Sequence, residues 1–133
     1  MSRSPEEILR DAKTIAVVGA SPKPWRPSYE VMRYLLEQGY RVIPVRPRDC
    51  DDVLGIECVE SLGEIGEPVD LVDVFRRPEH APGIAEEAVA AGAGAIWLQV
   101  GIVSPQARAI VEEAGIDYVE DECTKVVHRR LFV

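Results

Sequence analysis

The chain has 133 residues, of which 47% are hydrophobic, and its formal net charge is −8. This length predicts a single domain, residues 1–133, with one substantial core, and the negative charge disfavours unspecific binding to nucleic acid or to an anionic membrane. No apolar run approaches the roughly 20 residues that a membrane-spanning helix needs, and the charged N-terminal segment does not resemble a signal peptide, so we expect a cytoplasmic protein.

The cysteine pattern argues against both a disulfide framework and a zinc site. The three cysteines are Cys50, Cys58 and Cys123, an odd number without a C-x-x-C pair. We therefore expect reduced thiols. The aspartates that follow the second predicted strand lack the glycine and glutamate spacing of an EF-hand, so we interpret them as part of a solvated loop and predict no metal site.

Strands and helices are predicted to alternate along the whole chain. The predicted strands cover residues 14–18, 41–45, 69–75, 95–100 and 116–119, with a brief strand at 58–59. The predicted helices cover residues 5–12, 28–39, 78–91, 105–115 and 124–131, the second and fourth counted with the glycine that ends them. This order predicts the α/β class, a Rossmann-like, doubly wound, mostly parallel sheet in a three-layer α/β/α arrangement.

Local signals support individual elements of this order. Ser4 with Glu7 forms a capping-box pattern ahead of the first helix, and Ser61 with Glu64 repeats it ahead of a short helical turn. Pro44 has no N–H to donate, so the second strand should lie at or near an edge of the sheet.

Basic side chains follow several of the predicted strands. The seven cations on these loops are Lys23, Arg26, Arg46, Arg48, Arg76, Arg77 and Lys125. Because ligands of doubly wound sheets bind at the carboxyl ends of the strands, this placement predicts a polyanionic ligand there. The competing interpretation is a solvated rim whose arginines pair with the plentiful carboxylates. We favour the ligand because the fold predicts a site at the same edge independently.

The loop after the first strand differs from an NAD fingerprint. It reads G-A-S-P-K-P-W-R-P-S from Gly19 rather than G-x-G-x-x-G, and the second strand ends in Val45-Arg46-Pro47 instead of an acidic residue. An arginine at that position suits an extra ribose phosphate, as in NADP or coenzyme A (CoA). Trp25 in the same loop either stacks on an adenine or anchors the loop to the fold.

Five motifs in order carry a more specific resemblance. They are G-A-S-P-K-P-x-R-P-S-Y, V-I-P-V-R-P, V-D-V-F-R-R-P, W-L-Q-x-G-I and the terminal D-E-C-T-K. The chain from Thr14 to His128 resembles the small stand-alone CoA-binding protein family. That family is similar to the N-terminal CoA-binding domain of the succinyl-CoA synthetase alpha subunit.

The resemblance implies a Rossmann-like fold that binds CoA, with a set of ligand-binding residues in this chain. The phosphates would be met by Gly19, Ala20, Ser21, Lys23 and Arg26, with Ser28 at the helix start. The adenosine with its 3′-phosphate would lie between Arg46 and Pro47 on one side and Phe75 and Arg76 on the other. The remaining border of the ligand would be formed by Gln99, Gly101 and Ile102.

The last motif places Cys123 near the ligand, beside Lys125. A mixed disulfide with CoA and a buried, unreactive thiol are the two interpretations of this cysteine.

No catalytic constellation emerges from the sequence. It contains no Ser/His/Asp arrangement, metal cluster or carboxylate pair, and we expect surface or packing roles for the two histidines, His80 and His128. The leading prediction is therefore a non-catalytic protein that binds CoA or acyl-CoA. The alternatives are an NADP-linked oxidoreductase, a CoA-handling enzyme that needs a partner subunit, and an interaction protein with a vestigial site. The sequence leaves open a homodimer or an association with another protein.

Overall fold

The computed structural model describes residues 2–48 and 51–132. Asp49 and Cys50, which belong to the predicted solvated loop, lie outside the described residues. Among the described residues, no helix combines the length and apolar character required to span a membrane.

Strands and helices alternate as the sequence predicts except between the second and third helices, where four strands follow one another with one short 3-10 helix among them. The helices are α1 (Pro5–Asp11), α2 (Pro27–Glu37), α3 (Ala81–Ala90), α4 (Pro105–Glu113) and α5 (Thr124–Arg129). The strands are β1 (Thr14–Val18), β2 (Arg41–Val45), β3 (Asp52–Val53), β4 (Ile56–Glu57), β5 (Leu71–Val74), β6 (Ala95–Leu98) and β7 (Asp117–Val119). Short 3-10 helices cover Leu62–Glu64, Pro78–His80 and Arg130–Phe132.

Five of the strands form one parallel sheet in the order β2-β1-β5-β6-β7. The predicted Rossmann-like α/β fold is thereby confirmed. The strand β2 lies at an edge of this sheet, as Pro44 predicts, because its missing N–H interrupts no ladder there. Successive strands add in opposite directions on the two sides of β1, so the chain order reverses between β1 and β5, where ligands of such folds bind.

Alternate residues of the strands pack into two separate cores. Ile15 and Val17 face the side covered by α1, α2 and α5, where Met32, Leu35 and the fully buried Trp97 lie. The opposite side of the strands packs against α3 and α4 through a second set of small and branched side chains. Because both faces are covered, the strands are mostly apolar along their length and do not alternate between apolar and polar residues.

The two predicted capping boxes have different outcomes. Ser4 and Glu7 exchange side-chain to backbone hydrogen bonds at the start of α1, as predicted. At Ser61 the prediction is wrong, because the Ser61 side chain makes no capping bond. The Glu64 carboxylate instead accepts from the Glu60 N–H at 2.7 Å, one residue before the position of a capping box.

The segment predicted as a solvated loop contains a small hairpin. Leu54 and Gly55 both have positive φ, 53° and 81°, which closes a two-residue turn between β3 and β4. The hairpin buries Val53 and returns the chain to Cys58, whose N–H donates to the Asp51 carbonyl at 3.0 Å. Cys58 is disulfide-bonded and only Cys123 is free among the described cysteines, so the expectation of reduced thiols is wrong at Cys58.

Candidate functional site

A cavity of about 780 Å³ opens at the carboxyl ends of the strands, beside the reversal between β1 and β5. The predicted site residues that line it are Gly19, Ser21, Lys23, Arg26, Ser28, Arg46, Phe75, Arg76, Gln99, Ile102 and Cys123. Its further lining residues, which the sequence did not single out as ligand-binding, are Pro27, Val31, Arg77, Pro78 and Val100. Arg77 carried a signal as one of the cations after a strand, and Pro27 and Pro78 belong to the motifs that carry the family resemblance, whereas Val31 and Val100 were not assigned to the site.

The other predicted residues lie outside the cavity lining. Ala20 is buried, and its carbonyl accepts from Arg46 Nη1 at 3.2 Å. Pro47 lines a separate small cavity of about 70 Å³. Gly101 donates its N–H to Asp121 Oδ1 at 2.7 Å.

Lys125 is already engaged with α2. Its Nζ forms an ion pair with Glu30 Oε1 at 2.8 Å and lies 5.6 Å from the centre of the Tyr34 ring. The same contact lowers the pKa of the Glu30 carboxyl, chiefly through the hydrogen bond from Lys125. Lys125 therefore ties α5 to α2 instead of lining the cavity beside Cys123.

Gly19 is positioned where the loop leaves β1 and passes close to β5. Its φ is +88°, and its N–H donates to the Val45 carbonyl of β2 at 3.1 Å. A Cβ at this position would lie 2.6 Å from the Phe75 carbonyl oxygen and 3.0 Å from Arg76 Cδ. Only glycine satisfies both the backbone angle and this close approach.

Two further side chains order the loops around the cavity. Ser21 is buried, and its Oγ accepts from the Lys23 N–H at 3.2 Å, which fixes the turn that presents Lys23. Arg46 donates from Nε to the Arg48 carbonyl at 3.0 Å, in addition to its bond with Ala20. The Arg46 guanidinium thus bridges the loops that follow β1 and β2.

The cavity lining is strongly cationic. Its charged residues are Lys23, Arg26, Arg46, Arg76 and Arg77, and no carboxylate from the described part of the chain lines it. Of these, within residues 2–48 and 51–132, only Arg77 contacts an acidic group, Glu79, at 4.0 Å. In a chain whose net charge is −8, this cluster is a local reversal of sign that attracts anions.

Charge is also distributed unevenly along the cavity. The cations belong to the loops after β2, β1 and β5, which are neighbours in the sheet. The loop after β6 and the start of α5 contribute the uncharged Gln99, Val100, Ile102 and Cys123. The cavity therefore has a cationic half on the β2-β1-β5 side and a neutral half on the β6-β7 side.

Trp25 lies in the same loop as Lys23 and Arg26. It is 75% exposed, and Lys23 Nζ lies 5.9 Å from the centre of its ring. The interpretation of Trp25 as an anchor of the fold is therefore wrong, because so exposed a side chain buries little apolar surface.

A buried carboxylate lies behind the neutral half. Asp73 of β5 is fully buried and accepts hydrogen bonds from Gln99 Nε2 and from Thr124 Oγ1, the latter at 2.9 Å. Burial raises the pKa of Asp73 to about 7 against these two hydrogen bonds, which favour its ionised form. An aspartate inside an apolar strand was the only sequence signal for this group, since its partners lie 26 and 51 residues further along the chain.

The fold and this cavity define a Rossmann-like α/β protein with a cation-lined site at the carboxyl edge of its sheet. The chain belongs to the CoA-binding domain family, whose model matches residues 13–129. Membership of this family supports a CoA-related role.

Relatives with known sequences or structures agree with this assignment. The uncharacterized protein YneT of Bacillus subtilis is 44% identical over 123 residues, which cover 92% of this chain and 90% of that protein. The solved structure of a hypothetical protein from Pyrococcus horikoshii has 38% identity and a TM-score of 0.92, covering 98% of this chain and 94% of that one.

A relative with a named activity matches only in part. The alpha subunit of the ADP-forming acetate–CoA ligase I of Pyrococcus furiosus is 31% identical over 86 residues. The match covers 61% of this chain and 19% of that subunit. The similarity therefore concerns a small portion of the ligase.

Proposed function

We propose that this chain is a non-catalytic binding protein for CoA or an acyl-CoA, which it holds in the cavity at the carboxyl ends of its strands. The observation that carries the proposal is the division of that cavity into a cationic and a neutral half. CoA has the same division, because its diphosphate and 3′-phosphate lie at the nucleotide end and its pantetheine arm is uncharged. Family membership supports CoA over other ligands of this shape.

The cationic half offers several kinds of anion contact. Guanidinium groups form charge-assisted, often bidentate hydrogen bonds with phosphate oxygens. Pro27 and Ser28 bring the N-terminus of α2 to the cavity, and the side chain of its N-cap residue, Arg26, makes no capping bond. Pro27 has no N–H and the Tyr29 N–H donates to the Arg26 carbonyl at 3.0 Å, so this terminus offers a phosphate the Ser28 N–H and the positive end of the helix dipole. In the neutral half, Val100, Ile102 and Cys123 would face the pantetheine arm and its thiol or acyl end.

The non-catalytic part of the proposal is supported by the composition of the lining. General acid–base chemistry needs a group that titrates near neutral pH within reach of the substrate. The described residues that line the cavity include neither a histidine nor a carboxylate, and Asp73 lies behind Gln99. They include one thiol, that of Cys123.

Calorimetric titration with CoA, NADP and ADP tests the proposal directly. We expect CoA to bind most tightly, because only CoA fills both halves of the cavity. Tighter binding of NADP would favour an oxidoreductase instead, and no binding of CoA would remove the proposed function. Native mass spectrometry before and after adding thiol then separates reversible CoA binding from a mixed disulfide at Cys123, since only the disulfide survives unfolding and leaves with thiol.

Arg76→Gln should weaken CoA binding about 10- to 100-fold, because it removes a charge-assisted contact from the cationic half. Arg129→Gln is the matched control, since Arg129 is exposed, does not line the cavity and undergoes the same loss of charge. The measurement is the dissociation constant of CoA for both variants at one salt concentration. Equal weakening in the two variants would mean that Arg76 acts only through the net charge of the protein.

Arg46→Ala should weaken CoA binding more than it weakens binding of dephospho-CoA, which lacks the 3′-phosphate. A lost charge-assisted contact costs about 1.5–3 kcal/mol for CoA, whereas dephospho-CoA lacks the 3′-phosphate that Arg46 would hold. Arg48→Ala, the control, removes the same charge two residues away, outside the cavity lining. If both ligands lose affinity equally in Arg46→Ala, Arg46 serves only to brace the loops through its bonds to Ala20 and Arg48.

A further inference from the structure

Three buried polar side chains form a closed ring of hydrogen bonds beneath the neutral half of the cavity. They are Asp73, Gln99 and Thr124, which are 0%, 6% and 0% exposed. Gln99 Nε2 donates to Asp73 Oδ1 and, at 3.0 Å, to Thr124 Oγ1. Thr124 Oγ1 donates in turn to Asp73 Oδ2 at 2.9 Å. Every donor of the ring points inward, so the ring has no hydrogen left to offer the cavity.

This ring determines the orientation of the Gln99 amide. An amide nitrogen carries two hydrogens, and both are used by Asp73 and Thr124. Turning the amide over would place its oxygen against the Asp73 carboxylate, where two acceptors repel each other. The ionised form of Asp73 fixes this orientation, because only a protonated carboxyl could donate to the oxygen of a turned amide.

The amide oxygen is thereby left to the cavity. Within residues 2–48 and 51–132, Gln99 Oε1 accepts no hydrogen bond, yet no buried side-chain nitrogen or oxygen lacks a partner. Oε1 is therefore accessible to solvent, and Gln99 is one of the residues that line the cavity. A fixed acceptor in an apolar surrounding selects a ligand that brings an N–H or O–H group to it.

We propose that Asp73 and Thr124 act as positioning residues, which hold Gln99 Oε1 as a hydrogen-bond acceptor for an amide N–H of the ligand in the neutral half of the cavity. This inference rests on the proposed function, because the pantetheine arm of CoA carries two such amides and the phosphates occupy the cationic half. The ligand that meets this requirement carries a secondary amide on a flexible, uncharged chain.

The orientation is testable without any ligand. The sequence contains three glutamines and no asparagine, so a ¹H–¹⁵N spectrum shows three side-chain amide pairs. The Gln99 hydrogens should exchange with solvent about 100-fold more slowly than those of the exposed Gln38 and Gln106. Exchange at the same rate would overturn the inference.

The role of the acceptor is tested with CoA and with 3′-phospho-ADP, which keeps the phosphates and lacks the pantetheine arm. Gln99→Met should weaken CoA binding about three- to tenfold and leave 3′-phospho-ADP unchanged, whereas the exposed control Gln106→Met should change neither. Asp73→Asn should act in the same direction as Gln99→Met, because an asparagine offers partners to both orientations of the Gln99 amide. A purely structural role would weaken both ligands equally.

Three outcomes contradict the inference or its premise. Equal weakening of the two ligands in Gln99→Met, or unchanged CoA binding in Asp73→Asn, would overturn the positioning role. Failure of the unaltered protein to bind CoA would remove the proposed function itself, and the exchange rates in the ligand-free protein would still decide the orientation of the amide.

Discussion

Gly19→Ala should lower the free energy of unfolding by about 3 kcal/mol, through a strained backbone angle and a backbone clash together. The added methyl group would lie 2.6 Å from the Phe75 carbonyl oxygen, which belongs to the main chain and cannot rotate away. Relief requires β1 and β5 to separate where the Phe75 N–H donates to the Val18 carbonyl at 2.8 Å. Because Gly19 and Phe75 both line the cavity, CoA affinity should fall together with stability.

Gly39→Ala is a matched control for this effect. Gly39 has a similar φ of +94°, but a Cβ there would meet nothing within 4 Å. Replacing Gly39 by alanine should therefore lower the free energy of unfolding by about 1 kcal/mol, which is the cost of the positive φ alone. Chemical denaturation of the two variants measures the difference. If Gly19→Ala is no more destabilising than Gly39→Ala, the approach of the two strands is not a tight constraint.

The sequence predicts the bounds of a strand most accurately where both faces of the strand are buried, because the strand then coincides with a continuous apolar run. The bounds of β1 and β2 agree with the prediction, because their branched apolar runs stop at a glycine and at Arg46-Pro47. The prediction extends β5 and β6 too far, to Phe75 and Val100. These residues leave the sheet to line the cavity, and an apolar residue that faces a ligand site has the same signal as one that faces a core.

The edge at which the cations gather is predictable from the sequence, whereas the pairing of each cation is not. A parallel sheet brings the ends of its strands together, which places Lys23, Arg46 and Arg76 around one cavity. Lys125 follows the same rule along the chain, yet it pairs with Glu30, 95 residues earlier. Only the packing of α5 against α2 decides that contact.

Asp73→Asn should remove a fall in stability that the unaltered protein shows between about pH 4 and pH 7. Burial raises the pKa of Asp73 to about 7 in the folded state, from 3.8 in an exposed chain. Below pH 3.8 the carboxyl is protonated in both states, and its favourable contribution is complete. As the pH rises, the unfolded chain loses this proton first, so stability falls until the folded form ionises as well. The difference between the two pKa values corresponds to about 4 kcal/mol of unfolding free energy.

The comparison between the two proteins isolates this carboxyl from all others. Carboxylates whose pKa is lowered by their partners, such as Glu67 beside Arg41, add stability as the pH rises, and they do so equally in both proteins. The altered hydrogen bonds in the Asp73→Asn variant shift its stability by an amount that does not depend on pH. The difference in unfolding free energy should therefore change between pH 4 and pH 7 and be constant above it. If the unfolding free energies of the two proteins vary in parallel with pH across this range, Asp73 is ionised in the folded protein throughout, and Gln99 and Thr124 stabilise its charge.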